Sequence, residues 1–111
     1  MTWDVVFNWG DPVIGVHRTY SSSNIKKGVI WSNTQSYANN RVDELMEMAG
    51  SETDPVKRKA LYSEFQKIIA EDVPVYHTYA LPYHTIYSDR VGNPPVGIWA
   101  TVSPLDRVFL K

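Results

Sequence analysis

Hydrophobic positions along the chain change period several times, and each period predicts an element. In Trp3-Asp4-Val5-Val6-Phe7-Asn8-Trp9 the residues Trp3, Val5, Phe7 and Trp9 share one face of an extended segment. Val6 adds apolar character to the opposite face, so the pattern predicts a strand covered on both sides. Gly10-Asp11-Pro12 closes it, with Asp11 placed to cap a helix and Pro12 at its first position. Val13, Val16, His17 and Tyr20 then recur at helical spacing. Ser21-Ser22-Ser23-Asn24 ends that helix. From Ile25 to Ala38 no period is visible, which predicts a long loop carrying Trp31 and Tyr37. Loops of that length inside compact domains are commonly functional.

Two further helices follow. Asn39 or Asn40 is the cap of one whose apolar stripe is Val42, Leu45, Met46 and Ala49, with Gly50 as its stop. Asp54-Pro55 opens the other. Leu61, Phe65, Ile68 and Ile69 form its buried stripe, Lys57, Arg58, Lys59, Glu64 and Lys67 lie mostly outside it, and Asp72-Val73-Pro74 ends it. The short connection between the two predicts a helical hairpin. Residues 74–80 and 83–88 read as strands separated by Leu81-Pro82, and residues 89–95 as a turn-rich connector. The tail closes on Val108-Phe109-Leu110. The fold class is therefore mixed α/β, a small sheet with three helices, two of them paired. Because the chain opens almost directly on a two-sided strand, preceding sequence is expected. The unpaired edge of Trp3–Trp9 then invites pairing between copies into a homo-oligomer.

Composition narrows the function classes. The 111 residues amount to one domain or a piece of a larger one. Hydrophobic residues make up 43% and charged residues 21%, near ordinary globular usage, which argues against a disordered chain. Lys+Arg 11 against Asp+Glu 12 leaves a net charge of -1, without the basic excess that a nucleic-acid binder shows. No apolar run approaches the ~18 residues that a membrane-spanning helix needs. With Cys 0, disulfides, thiolate zinc sites and a cysteine nucleophile are excluded. The aromatic share of 13% suits strands and recognition surfaces alike.

Candidate chemistry is sparse. His17, His77 and His84 lack metal-ligand spacing, so no metal or cofactor is expected. Ser21, Ser22 and Ser23 lack the strand–turn–helix setting of a nucleophile elbow, and Gly92-Asn93-Pro94-Pro95-Val96-Gly97 has prolines where a phosphate cradle needs amide donors. What remains is recognition. Asp11 beside Trp9, at the end of a buried strand, can hold a cationic amine by ion pairing and cation–π attraction. The alternative is that Asp11 only caps a helix and Trp9 only packs. Trp31 and Tyr37, on the long loop, are the other candidates to face a ligand.

The order of motifs adds to this. Trp9-Gly10-Asp11-Pro12 is followed by Ser22-Ser23-Asn24-Ile25, then Tyr37-Ala38-Asn39-Asn40-Arg41-Val42-Asp43-Glu44-Leu45-Met46, then Thr53-Asp54-Pro55-Val56-Lys57-Arg58, then Gln66-Lys67-Ile68-Ile69-Ala70-Glu71-Asp72-Val73-Pro74. The series, over roughly residues 3 to 80, resembles the C-terminal region of the extracellular solute-binding proteins of family 5, the peptide- and dipeptide-type receptors of ABC importers. The resemblance implies that residues 1–111 are a single fragment of the C-terminal lobe of a larger two-lobed protein with a type II periplasmic-binding fold. It implies a small solute, oligopeptide or dipeptide by default, captured between lobes without catalysis and passed to a membrane permease. It also implies a periplasmic or extracellular location, with a signal or lipid anchor upstream. In peptide-binding relatives an aspartate after the corresponding strand takes the peptide amino terminus. Asp11 is the matching residue, although the relatives carry a longer aromatic-bearing stretch around theirs. Two other readings stay open: an interaction module built on the helical hairpin, and a hydrolase domain using a carboxylate pair.

Overall fold

The computed structural model describes residues 10–80, 82, 84–96 and 103–111. The strand expected over Trp3–Trp9 lies outside the described residues. The chain divides into two compact units, Met1–Tyr76 and His77–Lys111.

The first unit is helical. Helix α1 spans Pro12–Tyr20, and Asp11 caps it, its Oδ1 accepting from the Val13 amide at 2.9 Å. The buried positions are Gly15, Thr19 and Tyr20, while Val13 is 43% exposed. Of the predicted stripe, Tyr20 lies in the core, Val16 packs against it and His17 is half-buried, so Val13 alone stays largely exposed; Gly15 and Thr19 join this inward face, where α1 packs against the next helix.

Helix α2 spans Asn40–Ser51, with Asn39 as cap accepting from the amides of Arg41 and Val42. Its stripe is buried as the periodicity predicts, with Val42, Leu45 and Ala49 fully enclosed and Met46 nearly so. Gly50 does not end the helix, which continues to Ser51. A Cβ at Gly50 would lie 3.7 Å from the His17 ring and 3.8 Å from Val13, so this glycine marks the approach of α1 rather than a stop.

Helix α3 spans Pro55–Asp72. Asp54 Oδ1 accepts from the Val56 and Lys57 amides, and Val73 ends the helix in the left-handed region at φ 43°. Only Phe65 of its predicted stripe is buried; Leu61, Ile68 and Ile69 are partly buried against the core. Asn39 at the start of α2 bonds Asp72 at the end of α3, and Arg58 near the start of α3 donates to the Ala49 carbonyl near the end of α2. The predicted hairpin is therefore antiparallel. Tyr20, Val42, Leu45, Met46 and Phe65 form the core. The Tyr20 and Phe65 rings meet edge-on at 5.6 Å, as do Tyr62 and Phe65 at 6.3 Å.

In the second unit the strands fall elsewhere than predicted. The described residues of 74–80 and 83–88 form no strand. Instead β1, Val91–Gly92, pairs antiparallel with β2, Phe109–Leu110, in the register Val91↔Leu110 and Gly92↔Phe109. Tyr79, Ile86 and Tyr87 are exposed. β-Branched and aromatic residues favour a strand only where a neighbouring strand and a half-buried face receive them. No described residue offers that to 74–88. The coarse expectation of a small mixed α/β unit with three helices holds, but the sheet is two short strands drawn from the region read as connector and tail.

Candidate functional site

The loop between α1 and α2 is organised by one buried amide. Asn33 is 2% exposed, and its Nδ2 donates to the carbonyls of Ser21 at 2.9 Å and Tyr37 at 2.7 Å. Its Oδ1 accepts from the Tyr37 amide at 2.9 Å. The Asn24 carbonyl accepts twice, from the Asn33 amide at 3.3 Å and from Ser32 Oγ at 2.6 Å. Gln35 donates to the Thr19 carbonyl, and Asp43 of α2 receives both the amide and the hydroxyl of Ser22. Asn24 and Asn33 thus form the neck of a closed loop whose base is tied to both helices.

Beyond the neck the chain turns outward. Ile25, Val29, Ile30 and Trp31 are all exposed, Ile30 by 66%, and so are Lys26 and Lys27 between them. Neither lysine forms an ion pair among the described residues. Gly28 has φ 79° with open space around it, and Trp31 has φ 61°. A bulky side chain in the left-handed region is uncommon, and such strain gathers at functional sites. Trp31 lies on the long aperiodic loop, between Asn24 and Asn33, as the sequence predicts.

Asp11 lies in a different cluster. Arg58 of α3 grips its carboxylate with both terminal nitrogens, Nη2 to Oδ1 at 2.8 Å and Nη1 to Oδ2 at 3.0 Å. The same guanidinium donates through Nε to the Ala49 carbonyl at 2.9 Å and lies 5.6 Å from the Tyr62 ring centre. Tyr62 Oη in turn is 2.9 Å from His17 Nε2. The Arg58 hydrogen bonds, then the Val13 amide, hold the Asp11 carboxyl below its ordinary value. Burial pushes His17 down, opposed by the charge of Asp11 and reinforced by that of Arg58. An arriving amine meets a carboxylate that already caps α1 and neutralises Arg58. Its proposed neighbour Trp9 lies outside the described residues.

Tyr37 belongs to a third group. Its hydroxyl donates to Asp72 Oδ2 at 2.6 Å, and Asn39 Nδ2 donates to the same oxygen at 3.0 Å. Its ring stands edge-on to Tyr20. Burial, then the bond to Asp72, pushes its hydroxyl up to about 12. Tyr37 thus binds the loop's exit to the far end of α3. Asp11 and Tyr37 stabilise separate parts of the bundle, and Trp31 is carried on the outward turn. Sequence reasoning missed Asn33 and Arg58. Neither has a local signature, since Arg58 and Asp11 are 47 positions apart. It also passed over Lys26-Lys27, although a basic pair followed by Val29-Ile30-Trp31 in an aperiodic stretch is visible in the letters.

The hairpin carries an open groove of about 450 Å³, lined by Met48, Glu52, Lys57, Ala60, Leu61 and Glu64. Among the described residues no three His, Cys, Asp or Glu side chains converge, and no helix is long and apolar enough to cross a membrane.

The chain is 27% identical over 110 residues to a probable deoxycholate-binding periplasmic protein, YgiS, of Escherichia coli strain K12. The match covers 99% of this chain, which spans only 18% of that protein's length. No family profile matches the chain, and no solved structure matches it. These findings correct the resemblance drawn from motif order. Membership of the family 5 receptors is not supported by any profile, and the ligand named for the similar protein is deoxycholate, not a peptide.

Proposed function

We propose that the chain is part of a periplasmic binding protein that captures a small amphipathic carboxylate of the deoxycholate type and releases it unchanged. The observation that carries this reading is the similarity to the deoxycholate-binding protein, which runs through 99% of the chain rather than through one motif. Deoxycholate joins a rigid apolar body to a single carboxylate. Its binding wall therefore needs exposed apolar surface with a cation nearby, and the first unit has both between its first two helices. The part-buried polar side chains described above are engaged within the fold, Asp43 with Ser22, Asn33 with the Ser21 carbonyl and Asp11 with Arg58, which supports a binding frame. On this reading the 111 residues contribute one part of a longer protein, since they span only 18% of the length of the protein they resemble.

Equilibrium dialysis of labelled deoxycholate against the chain, below the micelle-forming concentration, tests the reading. Saturable uptake, displaced by unlabelled deoxycholate, is expected. Uptake that never saturates, or none at all, overturns it.

A further inference from the structure

We infer that the Lys26–Trp31 loop is the surface on which the amphipathic carboxylate docks, with Lys26 and Lys27 meeting its carboxylate and Ile25, Val29, Ile30 and Trp31 meeting its apolar body. The inference rests on the function proposed above and gives it residues. Four apolar side chains stand exposed on one short turn, at 39% for Ile25, 45% for Val29, 66% for Ile30 and 39% for Trp31. Such grouping marks a contact surface, whereas single exposed apolar residues do not. The turn is also held in place. The two bonds to the Asn24 carbonyl close its neck, the Val29 amide bonds the Lys26 carbonyl at 3.2 Å, and buried Asn33 locks the base. A pre-ordered loop loses less entropy when a ligand arrives.

Charge selects the occupant. Like Lys57, Lys59 and Lys67, Lys26 and Lys27 form no ion pair among the described residues; what sets them apart is their place between exposed Ile25 and exposed Val29, Ile30 and Trp31. Two flexible ammonium groups beside an apolar surface complement one carboxylate on a rigid apolar frame. A lipid surface is the weaker fit. Basic segments hold anionic membranes through clusters of several lysines and arginines, while this turn has two and the chain as a whole carries -1.

The test compares the wild-type chain with the double variant Lys26→Glu/Lys27→Glu and the single variant Ile30→Ser, each checked by circular dichroism. The probes are monomeric deoxycholate, the uncharged amphiphile octyl glucoside, and phosphatidylglycerol vesicles. The double variant is expected to bind deoxycholate about tenfold more weakly, since two favourable charge contacts become repulsive. It should bind octyl glucoside unchanged. Ile30→Ser should weaken both by about fivefold through lost apolar contact. Should the charge reversal impair folding, Lys26→Gln/Lys27→Gln replaces it, with a smaller loss expected in the same pattern. If the wild type binds deoxycholate and the folded variants bind it equally well, the loop assignment falls and the proposed function stands. If the wild type binds no deoxycholate, both fall. Loop-dependent binding to vesicles without uptake of monomeric deoxycholate also overturns the assignment, in favour of a membrane contact.

Discussion

The helical unit and the unit after His77 use similar residues to opposite ends. In the first, Val42, Leu45 and Ala49 are fully enclosed, and rings from α1 and α3 meet edge-on over them. In the second, Ile86 is 95% exposed, Val96 83% and Leu110 73%, and the only buried residue among those described is Gly92. A helix satisfies its own backbone and needs a partner only for one stripe. An extended segment needs a partner for its backbone as well. Among the described residues, the first unit supplies each helix with a packed neighbour, whereas the second supplies one strand pair of two residues each. Apolar content alone therefore does not predict where stability resides.

The largest expected effects fall on the first unit. Leu45→Ala removes a fully enclosed side chain between packed helices and should cost about 2–5 kcal/mol of unfolding free energy. Ile86→Ala, in the second unit, should change it by less than about 0.5 kcal/mol. Urea titration followed by far-ultraviolet circular dichroism measures both, and equal losses would break the contrast. Asn33→Ala comes next. It strips three hydrogen bonds from a buried site and leaves two carbonyls and an amide without that partner, so a loss of about 1–3 kcal/mol is expected in the same titration.

A pH series sharpens the contrast, because the shifted groups described here all belong to the helical unit. His17 is held below its ordinary 6.5, so the unfolded chain takes up the proton first on acidification. Stability is then complete above that value and falls as the pH drops through it. The melting temperature should decline in that window, and His17→Gln should flatten the decline. Asp11 is shifted the same way, so the stability it gives is present above 3.8 and is lost as pH falls through its folded value. At the alkaline end Tyr37, pushed up to about 12, favours its neutral form in the fold. Its contribution is therefore lost as pH rises above the ordinary 10. The smallest effect is expected at Gly92→Ala. The added Cβ would strike the Phe109 ring, which is 58% exposed and has room to swing away. Nuclear Overhauser contacts between β1 and β2 should weaken while the thermal unfolding of the helices stays unchanged.

The sequence showed most where the governing interactions are local. Asp11 and Asp54 before their prolines, Asn39 before Val42, and the four-residue stripe of α2 all act within a turn or two. Gly50 misled because glycine has two uses. Its lack of a side chain serves close helix approach here, not chain reversal. The stripe of α3 was found but its depth was not, because how deeply Leu61 or Ile68 sinks depends on partners from other elements. The strands at 74–88 were misplaced because extended propensity says nothing about whether a partner strand exists. In the candidate site, the long loop and Trp31 could be read from the letters. The two hydrogen bonds accepted by the Asn24 carbonyl, the buried Asn33 and the Arg58 grip on Asp11 could not, since each joins residues whose spacing carries no period.

The neck at Asn24 and Asn33 has an evolutionary consequence. Because the ring of backbone is closed at its base by Asn24, Ser32 and Asn33, that closure does not depend on the side chains of residues 25–30, and their chemistry can change while the neck stays intact. On the function proposed above, altered chemistry at the tip would change which solute is held while the framework of the neck was inherited unchanged.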